Sequence, residues 1–141
     1  MEVIINRCYG GFGLSLKAQK RYCEAKGKNV YFYEQTKYEW RDGKNEYQKV
    51  EDCDGSLFVH AVTKDYGKTI SELPNDDNYY FSDRDIPRDD PDLIKVVKEL
   101  AGEASGVCAD LAVVEIPDGI EWEIEEYDGF EWVAEKHRTW S

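Results

Sequence analysis

The chain has 141 residues and a formal net charge of −12, with 41% hydrophobic and 13% aromatic residues. That length suits one domain with a genuine hydrophobic core, and no apolar run approaches the length of a membrane span. No basic, apolar leader opens the chain, so a soluble, cytoplasmic protein is expected. An acidic surface repels phosphates, so direct nucleic-acid binding is not expected, whereas competition with nucleic acid for a basic partner is.

The charge is uneven. Residues 1–50 carry ten basic and six acidic side chains and residues 51–141 carry eight and twenty-four, so the two parts are +4 and −16. Such asymmetry implies oriented electrostatics rather than uniform solvation. Cys8, Cys23, Cys53 and Cys108 lie far apart without a CxxC pair, which suits buried or incidental thiols better than zinc or disulfides.

In chain order, Val3–Ser15 reads as a strand, a loop with Gly10, Gly11 and Gly13, and an N-cap serine opening a helix that runs to Lys26 and stops at Gly27. Two readings fit the loop. Glycines serve a tight structural turn, and a strand–glycine loop–helix unit also aims backbone N–H groups at an anion. In the second reading Asn6, Arg7, Gly10, Gly11, Gly13 and Ser15 form the site, supported by Lys17, Lys20, Arg21 and Lys26 on the helix. The loop is neither a dinucleotide fingerprint nor a P-loop, because no lysine and hydroxyl follow at the required positions.

Asn29–Trp40 is aromatic and β-favouring, Arg41–Lys44 is a turn, and Asn45–Val50 is the return strand of a hairpin. Asp52–Gly55 is a second turn before a strand at Ser56–Val62. Residues 63–92 read as a long ordered loop in which Arg84 and Arg88 pair locally with Asp83, Asp85, Asp89 and Asp90. Asp90 caps the clearest helix, with Pro91 at its first position and Leu93, Val96, Val97, Leu100 and Ala104 forming one apolar stripe that ends at Gly106.

Leu111–Ile116 is a strand, Pro117–Gly119 a turn, and the rest a terminal β-hairpin. A three-residue loop, Tyr127–Gly129, would set Ile124 opposite Trp132 and Trp122 opposite Ala134, making one face apolar. The other face would carry Glu121, Glu123, Glu125, Glu131 and Glu135, with Glu121 opposite Glu135 and Glu125 opposite Glu131. Facing like charges are destabilising unless a cationic partner covers them, which makes these five glutamates the candidate partner-binding surface. The tail Lys136–Trp140 is basic and aromatic and suits closure of the sheet through Trp140.

The stretch Ile5–Ser15 and the segments Asp85–Asp90, Glu115–Asp118 and Glu135–Trp140 resemble a group of small uncharacterised bacteriophage and prophage proteins. The resemblance covers both ends of the chain and leaves roughly residues 16–80 unmatched. It implies a phage accessory protein acting in the host cell, and it supplies no activity and no catalytic residue.

Catalytic signals are weak. Cys8 with His60 or His137 lacks a third member, and Asp76-Asp77 and Asp89-Asp90 do not match a calcium loop, so no catalytic residue, metal or cofactor is assigned. The expected fold is α+β, with two principal helices on a mainly antiparallel sheet of about six strands and a C-terminal hairpin. The first functional expectation is a non-enzymatic phage protein that binds a host protein with a basic surface, as an inhibitor of antiphage defence. The alternative is a binder or hydrolase of a phosphate-containing ligand, such as a nucleotide, at the glycine loop.

Overall fold

The structure, a computed structural model, describes residues 1–39, 44–51 and 59–136. Eight strands and two α-helices follow in chain order: β1 (Glu2–Asn6), α1 (Leu16–Ala25), β2 (Tyr31–Glu39), β3 (Lys44–Val50), β4 (Val59–Val62), β5 (Thr69–Ile70), α2 (Pro91–Leu100), β6 (Leu111–Glu115), β7 (Trp122–Tyr127) and β8 (Phe130–Glu135). All strand pairing among the described residues is antiparallel. The α+β class, the two principal helices and the C-terminal hairpin agree with the sequence reading. The strands divide among three sheets: β1–β6, β4–β2–β3–β5 and β7–β8.

The core gathers around β1, where Val3, Ile4, Ile5 and Asn6 are all buried. Ile4 packs with Phe12, Leu14, Ala18, Tyr22 and Cys23 from the loop and α1, and with Leu93, Val96, Val97 and Leu100 from α2. Burial of this kind contributes about 1.5–3 kcal/mol per large aliphatic side chain.

Both helices begin on side-chain caps. The Ser15 hydroxyl accepts from the Ala18 N–H at 3.1 Å, and the Asp90 carboxylate accepts from Asp92 and Leu93 at 2.8 and 3.4 Å. At the end of α1, Gly27 and Lys28 donate back to Glu24 and Cys23 at 3.1 and 2.8 Å, closing its last carbonyls. The helix expected to reach Gly106 stops at Leu100: Ala101 has a φ of 49°, and Ala101–Ala104 is a 3₁₀ turn. The chain leaves the helix because it is needed elsewhere. Ala104 accepts from Ser15 N–H at 2.9 Å, Leu14 bridges Ser105, and Gly106 donates to Gly13 at 2.8 Å. A Cβ on Gly106 would sit 3.1 Å from the Gly13 backbone, a tight contact that would push the two segments apart by a few tenths of an ångström.

The cations of α1 face acids from the other half of the chain. Lys17 pairs with Glu103 at 3.1 Å, Arg21 with Glu99 at 3.6 Å, and Lys26 with Asp90 and Asp92 at 3.1 and 2.9 Å. Tyr22 also donates to Asp90 at 3.0 Å; burial, then that hydrogen bond, pushes its phenol up to about 12. Each exposed pair contributes little by itself, but together they join α1 to α2.

The hairpin register differs from the one expected. Tyr127 pairs with Phe130, Glu126 with Glu131, Glu125 with Trp132, Ile124 with Val133 and Trp122 with Glu135. Asp128 and Gly129, with φ of 50° and 88°, form a two-residue turn, the mirror-type turn that Asp-Gly favours and that matches strand twist. Trp122 and Trp132 therefore lie on opposite faces. A Cβ on Gly129 would strike the Gly10 and Gly11 backbone, so the turn is also fixed from outside. The predicted repulsions Glu121–Glu135 and Glu125–Glu131 do not occur. The turn at 41–43, the turn at 52–55, the strand start at 56–58 and the tail at 137–140 lie outside the described residues.

Within residues 63–92 the expected long loop contains β5 and two 3₁₀ turns, Asp77–Tyr79 and Asp83–Asp85. It joins the larger sheet to the core: Thr63 donates to Tyr79 at 2.9 Å, Phe81 donates to Ala61 at 3.0 Å, and the Phe81 ring lies 6.2 Å from Tyr22.

On the larger sheet His60 stands opposite Tyr33, edge-on to Tyr47 at 5.9 Å. Burial lowers its pKa below the ordinary 6.5. The unfolded chain then binds this proton more readily, so stability is lost as pH falls below about 6.5. Asp65, whose pKa Lys49 lowers first, and Asp118, held by the N-terminal ammonium, lose their contributions only in more acidic solution. Thermal melts from pH 7 to about 5.5 should show a falling Tm in wild type and a flatter profile in His60→Gln. Equal slopes would contradict the burial of an uncharged imidazole.

Candidate functional site

The end of β1 sets the site. In an antiparallel strand alternate residues turn their N–H and C=O groups to opposite edges. Arg7 N–H donates to Asp110 on the β6 side at 2.8 Å, whereas Ile4 and Asn6 face away from β6. Among the described residues no strand pairs with β1 along that edge. Instead Ile4 N–H donates to the Arg88 carbonyl at 2.9 Å, the Arg88 guanidinium donates to the Ile4 carbonyl at 3.3 Å, and Asn6 N–H donates to Glu131 Oε1 at 2.8 Å.

Arg88 and Glu131 are themselves a two-pronged ion pair, with Nη1–Oε1 at 2.6 Å and Nη2–Oε2 at 2.9 Å. Their side chains are 16% and 5% exposed. The guanidinium carbon lies 3.6 Å from the Phe12 ring centroid, stacked on its face. The local pairing expected of Arg88 is replaced by one 43 residues away. Buried carboxylates demand full hydrogen bonding, and Arg88 together with the Asn6 N–H supplies it to Glu131.

The glycine loop is closed by the protein's own groups. Asn6 is fully buried; its Nδ2 donates to Cys8 and Gly129 carbonyls, both at 2.8 Å, and its Oδ1 accepts from Asp110 N–H at 2.8 Å. Gly10 N–H donates to the Asp128 carbonyl at 3.2 Å, and a Cβ there would meet Cys108 at 2.9 Å. Leu14 N–H donates to Asp83 Oδ2 at 2.8 Å. Ser15 caps α1 and donates to the Glu103 carbonyl at 2.6 Å, and Gly13 accepts from Gly106. Arg7 points into solvent. Donors expected to meet a foreign anion thus meet Glu131 and Asp83.

Beside this loop lies a cleft of about 530 Å³, lined by Gly10, Gly11, Phe12, Arg84, Arg88, Glu126, Asp128, Gly129 and Glu131. Of the proposed loop residues, Gly10 and Gly11 line it; Asn6, Arg7, Gly13 and Ser15 do not. Arg84 is exposed and forms no ion pair among the described residues.

The five hairpin glutamates are dispersed. Glu131 is buried against Arg88, and Glu135 lies on the same side of the hairpin as Glu131. Glu123 and Glu125 lie on the other, outward side, with Tyr127, Phe130, Trp132 and Ala134. Glu121 precedes β7, where its carbonyl accepts from Lys136 N–H at 2.9 Å. The aromatic residues of the outward side are additional to the acidic residues singled out in the sequence. The Asp-Gly pair at 128–129 was the signal for them, since the two-residue turn alone sets which residues point outward.

The Cys8 thiol donates to the Tyr9 carbonyl at 3.6 Å, while His60 lies in the larger sheet against Tyr47. Cys23 is buried, which raises its thiol to about 11. No helix among the described residues is long and apolar enough to cross a membrane. Comparison of the chain with protein-family models, with curated proteins and with solved structures gives no match.

Removing one partner of a buried ion pair leaves an uncompensated charge, which typically costs about 3–5 kcal/mol. Glu131→Gln and Arg88→Ala should each lose stability on that scale in urea denaturation. Arg7→Ala should leave the midpoint unchanged. A loss below about 1 kcal/mol at Glu131 would remove the pair from its structural role.

Proposed function

We propose that the protein is a non-enzymatic phage accessory protein that acts in the host cytoplasm by binding a host protein with a basic surface, as an inhibitor of antiphage defence. The phage assignment rests on the resemblance at the two ends of the chain. The binding mode rests on one observation. Around the helices and the core, several acids are matched by cations, as at Glu2–Lys98, Glu99–Arg21, Glu103–Lys17 and Glu131–Arg88. On the hairpin Glu123, Glu125, Glu126 and Glu135 are exposed and form no ion pair among the described residues. Uncompensated charge of one sign steers a partner of the opposite sign and accelerates encounter.

The partner is to be captured from host cells and purified. Association should then slow several-fold in Glu123→Gln/Glu125→Gln/Glu126→Gln, and should slow in wild type as salt rises from about 50 to 200 mM, where screening shortens from beyond 10 Å to below it. Association that ignores both salt and these residues would dismiss the acidic surface.

One observation favours a second reading, a phosphate-bearing small ligand: the Arg84 guanidinium, which forms no ion pair among the described residues, lines the cleft beside Gly10 and Gly11. Glu126 and Asp128 in the same cleft repel such a ligand, which ranks this reading second. Nucleotides and sugar phosphates screened by thermal shift should leave wild type unchanged. A stabilisation in wild type that Arg84→Ala abolishes would reverse the ranking.

A further inference from the structure

The outward side of the hairpin is more than acidic. Tyr127 is 71% exposed and Trp132 is 41% exposed, each a large aromatic group left in water. Tyr9, 64% exposed, extends this patch from the glycine loop, its ring 5.6 Å from Phe130. Between the aromatic rings stand carboxylates: Glu125 is the cross-strand partner of Trp132, and Glu123 is the partner of Ala134. The Trp132 indole N–H donates to Glu125 Oε2 at 2.9 Å, so one carboxylate oxygen fixes the ring while the other is left for a ligand.

Aromatic faces beside carboxylates define a particular cation. Guanidinium is planar and weakly hydrated; it stacks on aromatic rings and forks onto carboxylates, whereas ammonium is a compact, strongly hydrated charge. Arg88, stacked on Phe12 and forked onto Glu131, makes the same pair of contacts inside this protein. We infer that the outward face formed by Tyr9, Tyr127, Phe130 and Trp132 with Glu123 and Glu125 is a docking surface for an arginine-bearing segment of a protein partner. The inference rests on the acidic-surface reading and adds arginine selectivity and an aromatic contribution, which steering by charge does not supply. Trp132 anchors the contact and Tyr9 widens it, which gives the glycine loop a use: it holds Tyr9 against the hairpin.

The test uses two capped synthetic peptides of equal charge, one of four Arg-Gly repeats and one of four Lys-Gly repeats, titrated calorimetrically into the full chain at about 50 mM salt. The arginine peptide should bind about fivefold or more tightly than the lysine peptide. Trp132→Ala should weaken the arginine peptide by about fivefold and leave the lysine peptide little changed, whereas Glu125→Gln, which removes a charge, should weaken both and the arginine peptide more. Trp132→Phe keeps a ring but loses the indole N–H, and should fall between. Trp132 lies outside the core, and circular dichroism of each variant checks that the hairpin persists. Equal binding of the two peptides, unchanged in Trp132→Ala, overturns the docking surface and leaves charge steering intact. No binding of either peptide also overturns the docking surface. The functional reading falls separately, on salt-independent association with the purified partner.

Discussion

A buried strand that pairs with another strand on only one edge, among the described residues, is the constraint on which this molecule depends. The strand β1 has β6 along one side, and on the other its backbone groups meet the carbonyl and guanidinium of Arg88 and the carboxylate of Glu131. Burying two charges is unfavourable unless their remaining donors and acceptors are satisfied. Here the pair is held by stacking on Phe12, and its spare capacity completes the strand edge. Two side chains thereby do the work of a missing strand. They also block that edge against intermolecular pairing, the usual liability of an open edge.

Other features follow from this edge. Glu131 comes from β8, so satisfying Asn6 draws the hairpin against β1. The Asn6 side chain then spans three separate segments, reaching Cys8, Gly129 and Asp110. The Gly10–Gly11 backbone lies against Gly129 so closely that a methyl group does not fit between them. A strand–glycine loop–helix unit does attract anions, and in this fold the anions are carboxylates of the same chain. Glu99, Glu103, Asp90 and Glu131 meet cations of the same chain, whereas Glu123 and Glu125 on the outward side of the hairpin form no ion pair among the described residues.

Local chemistry was legible in the sequence, and long-range pairing was not. Ser15, Asp90, Pro91 and Gly27 marked helix ends because capping depends on neighbours within four residues. The aromatic run after Asn29 marked β2 because β-branched and aromatic side chains suit a pleated surface. By contrast the helix stop at Leu100 depends on Ser15 and Gly13, more than eighty residues earlier, and no periodicity carries that information. The hairpin register failed for another reason. Placing all apolar groups on one face ignored the Asp128-Gly129 turn signal, although the true hairpin has two occupied faces: one buries Glu131, and the other bears Phe130 packed with Tyr9. Within the candidate site Asn6, Gly10 and Gly11 were singled out from sequence as part of an anion loop. Their purpose is to join segments of one chain, and the Arg88–Glu131 contact that explains them joins residues too distant for spacing to reveal.

The pairing of residues 2–6 with residues 111–115 has a consequence for how the polypeptide reaches its native state. Contacts this distant in sequence require closing a loop of more than one hundred residues, and such closures slow folding relative to local pairing. On the ribosome β1 emerges more than one hundred residues ahead of β6 and Glu131. Its three consecutive buried aliphatic residues wait in the nascent chain, while α1 and the β2–β3 hairpin, built from nearby residues, form ahead of it. The strand at the centre of the finished core is thus the last to be enclosed.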